Sequence, residues 1–163
     1  MITENSFKNK VVIVTGAAQG MGKAVSKHFA IKGSNVVLND INLDTLKSAE
    51  MDFAKSGFEI YAIQGNVADS ADVDNIVMKT VAKYGRIDIL INNAGVLKPT
   101  KVIEMDENEW DFVIDVNLKG TFLFSKAVIS IMRSQNWGRI INFSSTAGKN
   151  VSTVGGAHYT SAK

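Results

Sequence analysis

Residues 11–22 read VVIVTGAAQGMG. Val11–Val14 are four consecutive β-branched apolar residues. With Thr15 they fit a strand buried on both faces of a sheet. Gly16, Gly20 and Gly22 come directly after it, in the spacing G-x3-G-x-G. Glycine tolerates positive φ and lets backbone amides come close to a ligand. A helix starting there turns its free amides and positive dipole end toward an anion such as a pyrophosphate. The spacing differs from the commoner G-x-G-x-x-G, so the plain alternative is an ordinary strand-to-helix turn.

The rest of the chain repeats this alternation. Further β-branched runs are NVVLND (35–40), EIYAIQ (59–64), IDILIN (87–92) and RIINFS (139–144). Helical periods lie between them. In 69–84, Val73, Ile76, Val77, Thr80 and Val81 fall on one face, with Asp69 or Ser70 as the cap. A helix over 106–135 starts at Asp106, and Glu109 three residues on suggests a reciprocal cap. Trp110, Val113, Ile114, Asn117 and Phe124 share its apolar face. The order β-α-β-α-β-α-β-α-β predicts an α/β fold. Its parallel sheet is doubly wound and Rossmann-type, with five strands and helices on both faces. Residues 1–163 read as one domain, with no repeat, linker or low-complexity tract.

Composition narrows the function. The chain is 45% hydrophobic and 21% charged, with a net charge of +2, which argues against nucleic-acid and membrane-surface partners. Without cysteine, disulfides and thiolate metal sites are excluded, and no metal is expected. The stretch MITENSFKNKVVIVTG is too short in apolar residues for a signal peptide. The apolar region TFLFSKAVISIM is broken by Lys126 and cannot span a membrane. A cytoplasmic location is expected.

Asp40 ends the second run, eighteen residues after Gly22. An acidic residue there accepts hydrogen bonds from the ribose hydroxyls of NAD and repels the extra phosphate of NADP. Ile41 and Asn42 come next and the loop carries Gln19, so no nearby cation would favour NADP. NAD is the expected cofactor. The plain alternative for Asp40 is a cap for a helix beginning near 42.

Three more motifs stand after the later strands: NNAG (92–95), SSTAG (144–148) and YTSAK (159–163). With TGAAQGMG they resemble the short-chain dehydrogenase/reductase family, in order and register along the whole chain. The resemblance implies hydride transfer between a nicotinamide cofactor and a secondary alcohol or ketone. It implies Tyr159 as the general acid/base and Lys163, four residues on, as the cation that favours the phenolate and holds the nicotinamide ribose. Ser145 would orient the substrate carbonyl, with Ser144 and Thr146 as alternatives. Asn117 would support a proton relay through water, or else be a satisfied core asparagine beside the close helix contact at Gly120. The cofactor set it implies is Gly16, Gln19, Gly20, Met21, Gly22, Asp40, Asn66, Val67, Asn93, Ala94, Gly95, Tyr159 and Lys163. Asn66 stands where the family often has aspartate, and its oxygen can still accept from the adenine amino group. Asn92 and Asn93 serve equally well as sheet and turn supports. His158 is expected at the active-site rim.

In the family the Tyr-x-x-x-Lys pair opens a long helix, and two more strands and a substrate-covering region come after it. The chain therefore reads as the N-terminal part of a longer dehydrogenase, a homodimer or homotetramer, with its fifth strand as an apolar edge. The local wording GRIINFSSTAG also resembles 3-oxoacyl-[acyl-carrier-protein] reductases, and equally many sugar, polyol and hydroxyacid dehydrogenases. Other readings are a cofactor-binding fragment without activity and a non-enzymatic remnant.

Overall fold

The computed structural model describes residues 7–150, 152 and 155–163. Residues 1–6, at the start of the stretch weighed as a targeting segment, lie outside the described residues. The five strands are β1 (Val11–Thr15), β2 (Asn35–Asp40), β3 (Ile60–Gln64), β4 (Ile89–Asn92) and β5 (Arg139–Asn142). They form one sheet in the order β3-β2-β1-β4-β5, with every pair parallel. The helices are α1 (Gly20–Ile31), α2 (Leu43–Lys55), α3 (Ser70–Tyr84), α4 (Glu107–Ile114), α5 (Gly120–Ser134) and α6 (Ala157–Ala162).

Alternation along the central strands builds two cores. Val12, Val14, Val36, Leu38, Ile89 and Ile91 pack with Leu46, Ala49 and Phe53 of α2. Ile13, Val37 and Leu90 face the other way, against Val73, Ile76 and Val77 of α3 and Phe124, Val128 and Met132 of α5. Burial on both faces therefore holds for β1, β2 and β4. It fails for β5, an edge strand with one neighbouring strand, where Ile141 is 47% exposed.

The expected 106–135 helix is not regular. A π-helical segment, Asp115–Lys119, separates α4 from α5. Two local contacts account for it. The Asn117 side-chain amide donates to the Val113 carbonyl at 2.9 Å, competing with the backbone ladder. Gly120 lies so close to β3's exit loop that an added Cβ would stand 2.8 Å from Val67 Cγ2. Such inserted turns cluster at functional sites. The reciprocal cap is also half formed. Asp106 Oδ1 accepts from the Glu109 amide at 2.7 Å, but the Glu109 carboxylate turns to Lys98 and His158. Trp110 leaves the core face and is 39% exposed. Asp69 is the cap of α3, and Asn42, not Asp40, is the cap of α2.

At the opposite end of the sheet from the glycine turn, Asp88 is fully buried. It accepts from the Val11 amide at 2.9 Å, from Arg86 through two nitrogens and from Lys10 at 3.2 Å. Burial alone would raise its pKa. The Arg86 guanidinium, the Val11 amide and the Lys10 ammonium outweigh that and hold the carboxyl below its ordinary value. Because the folded value is depressed, Asp88 contributes stability above the ordinary value of 3.8 and loses it as the pH falls through the lower folded one. Asp88→Ala leaves the Val11 amide unpaired and is expected to cost about 2 kcal/mol at pH 7. Urea denaturation at pH 7 and again at pH 3 measures this. An equal difference between variant and parent at both values would refute it.

Candidate active site

The sheet order reverses between β1 and β4, and a cleft opens there, at the carboxyl ends of the strands. This is the place where open α/β sheets bind ligands. The cleft has a volume of about 510 Å³. Gly16, Gln19, Met21, Asp40, Asn66, Val67, Asn93, Ala94 and Gly95 line it, nine of the residues expected from the sequence. Gly20 and Gly22 are absent from the lining and shape the turn behind it. Gly16 has φ +60°, and an added Cβ would sit 2.8 Å from Ala94 Cα. A Cβ added at Gly22 would run into the Gly16 carbonyl, so there is no room for a side chain. The glycines therefore join the ends of β1 and β4 and start α1 between them.

Asn93 makes the same joint. Its side-chain amide donates to the carbonyls of Thr15 at 2.9 Å and Gly16 at 3.0 Å. The Thr15 hydroxyl accepts in turn from the amides of Asn93 and Ala94. Asn92 ties β4 to β5 through Asn142 at 2.9 Å, and to α5 through Ser125 at 3.2 Å. The structural reading of both asparagines is thus realised.

Three features suit a dinucleotide. α2, α3 and α4 each have a side-chain cap, whereas α1 begins at Gln19 with no side-chain cap and no acid in its first turn. Its amides remain open to an anion. Asp40 uses one oxygen for the Ala18 amide and the other for Asn42, both at 3.1 Å, so each oxygen keeps a lone pair for a hydroxyl. Asn39, which the sequence reading missed, also lines the cleft, and its buried Oδ1 has no partner. Its Nδ2 is fixed by the carbonyls of Ile63 and Gly65. Asn66 is less free than expected, since its Oδ1 already accepts from the Ala68 amide at 3.0 Å.

None of the four residues expected to be catalytic is in the lining of the cleft. Two of them converge on Gly95, where an added Cβ would stand 2.6 Å from Asn117 Oδ1 and 3.3 Å from Lys163 Nζ. Asn117 is buried. Its Nδ2 donates to Val96 O at 2.8 Å and to Val113 O, and its Oδ1 accepts from Val96 N at 3.2 Å. Both amide hydrogens are used, as in a satisfied core asparagine. Lys163 donates to the Phe143 carbonyl at 3.0 Å, and its Nζ is 5.9 Å from the Tyr159 ring centroid. Partial burial pushes the Lys163 ammonium below the ordinary lysine value. Ser145 Oγ accepts from the Ala147 amide at 3.2 Å, and Ser144 Oγ donates to the Lys163 carbonyl at 2.9 Å. No hydrogen bond joins Ser145 to Tyr159 among the described residues.

His158 departs most from expectation. It is fully buried and not at a rim. No group of three or more metal-ligating side chains occurs among the described residues, and no helix there is long and apolar enough to cross a membrane.

The family described as short chain dehydrogenase matches residues 10–163. The chain belongs to that family. Its members use nicotinamide cofactors, NAD or NADP. A 3-oxoacyl-[acyl-carrier-protein] reductase of Synechocystis sp. is 41% identical over 155 residues, covering 94% of this chain and 62% of the relative. Subunit BbsD of the (2S)-[(R)-hydroxy(phenyl)methyl]succinyl-CoA dehydrogenase of Thauera aromatica is 38% identical, covering 96% of this chain and 62% of its own. Among solved structures, a short chain dehydrogenase from Mycobacterium smegmatis superimposes with a TM-score of 0.91 at 32% identity, over 96% of this chain and 66% of that one. The chain spans 62% of the length of these two curated relatives.

Proposed function

We propose that this short-chain dehydrogenase moves hydride between NAD and a secondary alcohol or ketone. The observation that carries the reading is the meeting of Asn117 and Lys163 at Gly95, on the wall of the switch-point cleft. A bound nicotinamide supplies or accepts the hydride. The α1 amides hold the pyrophosphate, with Gly16, Gln19, Gly20, Met21 and Gly22 shaping the approach. Asp40 takes the ribose hydroxyls. Asn66 and Val67 border the adenine, and Asn93, Ala94 and Gly95 form the floor. Tyr159 exchanges a proton with the substrate oxygen, Lys163 favours its ionised form, and Ser145 orients the carbonyl. Residues 1–163 form one dinucleotide-binding domain of a cytoplasmic homodimer or homotetramer.

Asp40 supports NAD over NADP. Its carboxylate would face the 2′-phosphate, and no lysine or arginine among the described residues lines the cleft to offset that charge. Calorimetric titration with NADH and then NADPH tests the site. NADH should bind more tightly, and Asp40→Ala should narrow the gap about tenfold or more, since a like-charge contact costs several kcal/mol. An unchanged preference would mean that the ribose lies elsewhere. Reduction of a 3-oxoacyl thioester on acyl-carrier protein is the second reading. Relatives in Synechocystis sp. and Thermotoga maritima carry that name at 41% and 40% identity.

A further inference from the structure

The amide of Tyr159 is held in an unusual way. In α2, α3 and α4 the third amide of the helix is taken by the cap side chain: Thr45 by Asn42, Asp72 by Asp69 and Glu109 by Asp106. The same position in α6 is Tyr159, and its cap residue is Gly156, which has no side chain to offer. The ring of the preceding residue replaces it. The Tyr159 amide donates to His158 Nδ1 at 2.8 Å.

The ring is held from every side. It is fully buried and stacks on Trp110 of α4, with centroids 6.3 Å apart. Its Nε2 lies 3.2 Å from Glu109 Oε1. Glu109 is itself held by Lys98, whose Nζ is 3.6 Å from its other oxygen. The Thr100 side chain, with His158 and Lys98, holds the Glu109 carboxyl below its ordinary value despite some desolvation. Gly156 leaves the space the ring needs, since an added Cβ would stand 2.8 Å from Nδ1.

The hydrogen bonds at the two ring nitrogens agree on one tautomer. Nδ1 accepts from an N–H and so carries no proton. The proton of the neutral ring then sits on Nε2, facing a carboxylate that can only accept. With both nitrogens engaged and no exposed surface, His158 cannot reach a substrate.

We propose that Glu109 and His158 are positioning residues for Tyr159. Glu109 selects the Nε2–H tautomer, and the bare Nδ1 then caps α6 and sets where the phenol stands. The device couples α4 and the loop before it to the Tyr-x-x-x-Lys helix. Its catalytic consequence rests on the reading of Tyr159 as the proton donor.

Nitrogen NMR of the histidine rings tests the tautomer without any activity assay. Only His28 and His158 are present, so assignment is direct. The expected result at neutral pH is a protonated Nε2 and a bare Nδ1 at His158, with slow hydrogen exchange at the Tyr159 amide. Glu109→Ala should mix the tautomers and speed that exchange at least about tenfold. Two substitutions then separate cap from packing. His158→Asn keeps an acceptor where Nδ1 stands; His158→Gln reproduces the N–H toward Glu109 but not the acceptor. Turnover should fall about tenfold to a hundredfold in His158→Gln, as expected for small misplacement of a reacting group, with the KM for NADH unchanged. His158→Asn should recover most of it. A proton on Nδ1, unchanged exchange in Glu109→Ala, or equal loss in the two substitutions would overturn the proposal. If the parent protein reduces no ketone, the reading of Tyr159 fails, while the ring spectrum still decides the cap.

Discussion

Tyr159→Phe abolishes ketone reduction and leaves NADH binding intact: that is the expected result with the largest effect. The phenol is half-buried and has no hydrogen-bond partner among the described residues, so nothing in the fold depends on its hydroxyl. Removing it should leave α6 in place. The ring still lies against the Gly155 backbone, where an added Cβ would be 2.9 Å from Tyr159 Cδ1. On the proposed reading the proton donor is lost, and a positioned acid or base contributes typically 10²–10⁴-fold to rate. Steady-state rates give kcat, and calorimetry gives NADH affinity. A kcat within about threefold of the parent would remove Tyr159 from the chemistry. Lost NADH binding with a folded chain would make its role structural.

The second large effect concerns stability. Asn117→Ala should cost about 3 kcal/mol, because it leaves Val96 N–H and Val96 O, both partly buried, and the buried Val113 O without their side-chain partner. The clamp fastens the loop after β4 to the π segment, so the same change should also weaken NADH binding. Urea denaturation reads the first effect and calorimetry the second. Asn117→Asp is the informative companion. It keeps the size but sets a carboxylate against two carbonyls, and should be at least as destabilising as alanine. A loss below about 1 kcal/mol in both substitutions would show that the three bonds are replaced by water.

The sheet was legible in the sequence because its signal is local. β1, β2 and β4 each bury both faces, so their β-branched runs are uninterrupted. The glycine turn after β1 marks a helix N-terminus and so a crossover to a parallel strand. Asp40 was legible for a similar reason: position at a strand end defines its neighbourhood. The 106–135 helix was legible only in outline. Apolar period reports which face is inward, but not a π turn whose causes, Val67 and Val113, are a helix contact and a side-chain bond. Glu109 misled for the same reason. Its spacing from Asp106 suits a reciprocal cap, and Lys98 and His158 offered it more.

By itself, the sequence determined an α/β parallel sheet, the glycine turn at its switch point, the acidic residue at the end of the second strand, and the Tyr-x-x-x-Lys pair. These depend on residues close together in the chain or on strand ends that topology places. Only the tertiary structure decided that Asn117 and Lys163 meet at Gly95, that Asn39 carries an unpaired buried oxygen, and that His158 is an internal cap. Those facts depend on which groups satisfy each buried donor and acceptor. Such partners stand far apart in the chain, 49 residues for Glu109 and His158 and 79 for Ala94 and Thr15, and no local pattern announces them.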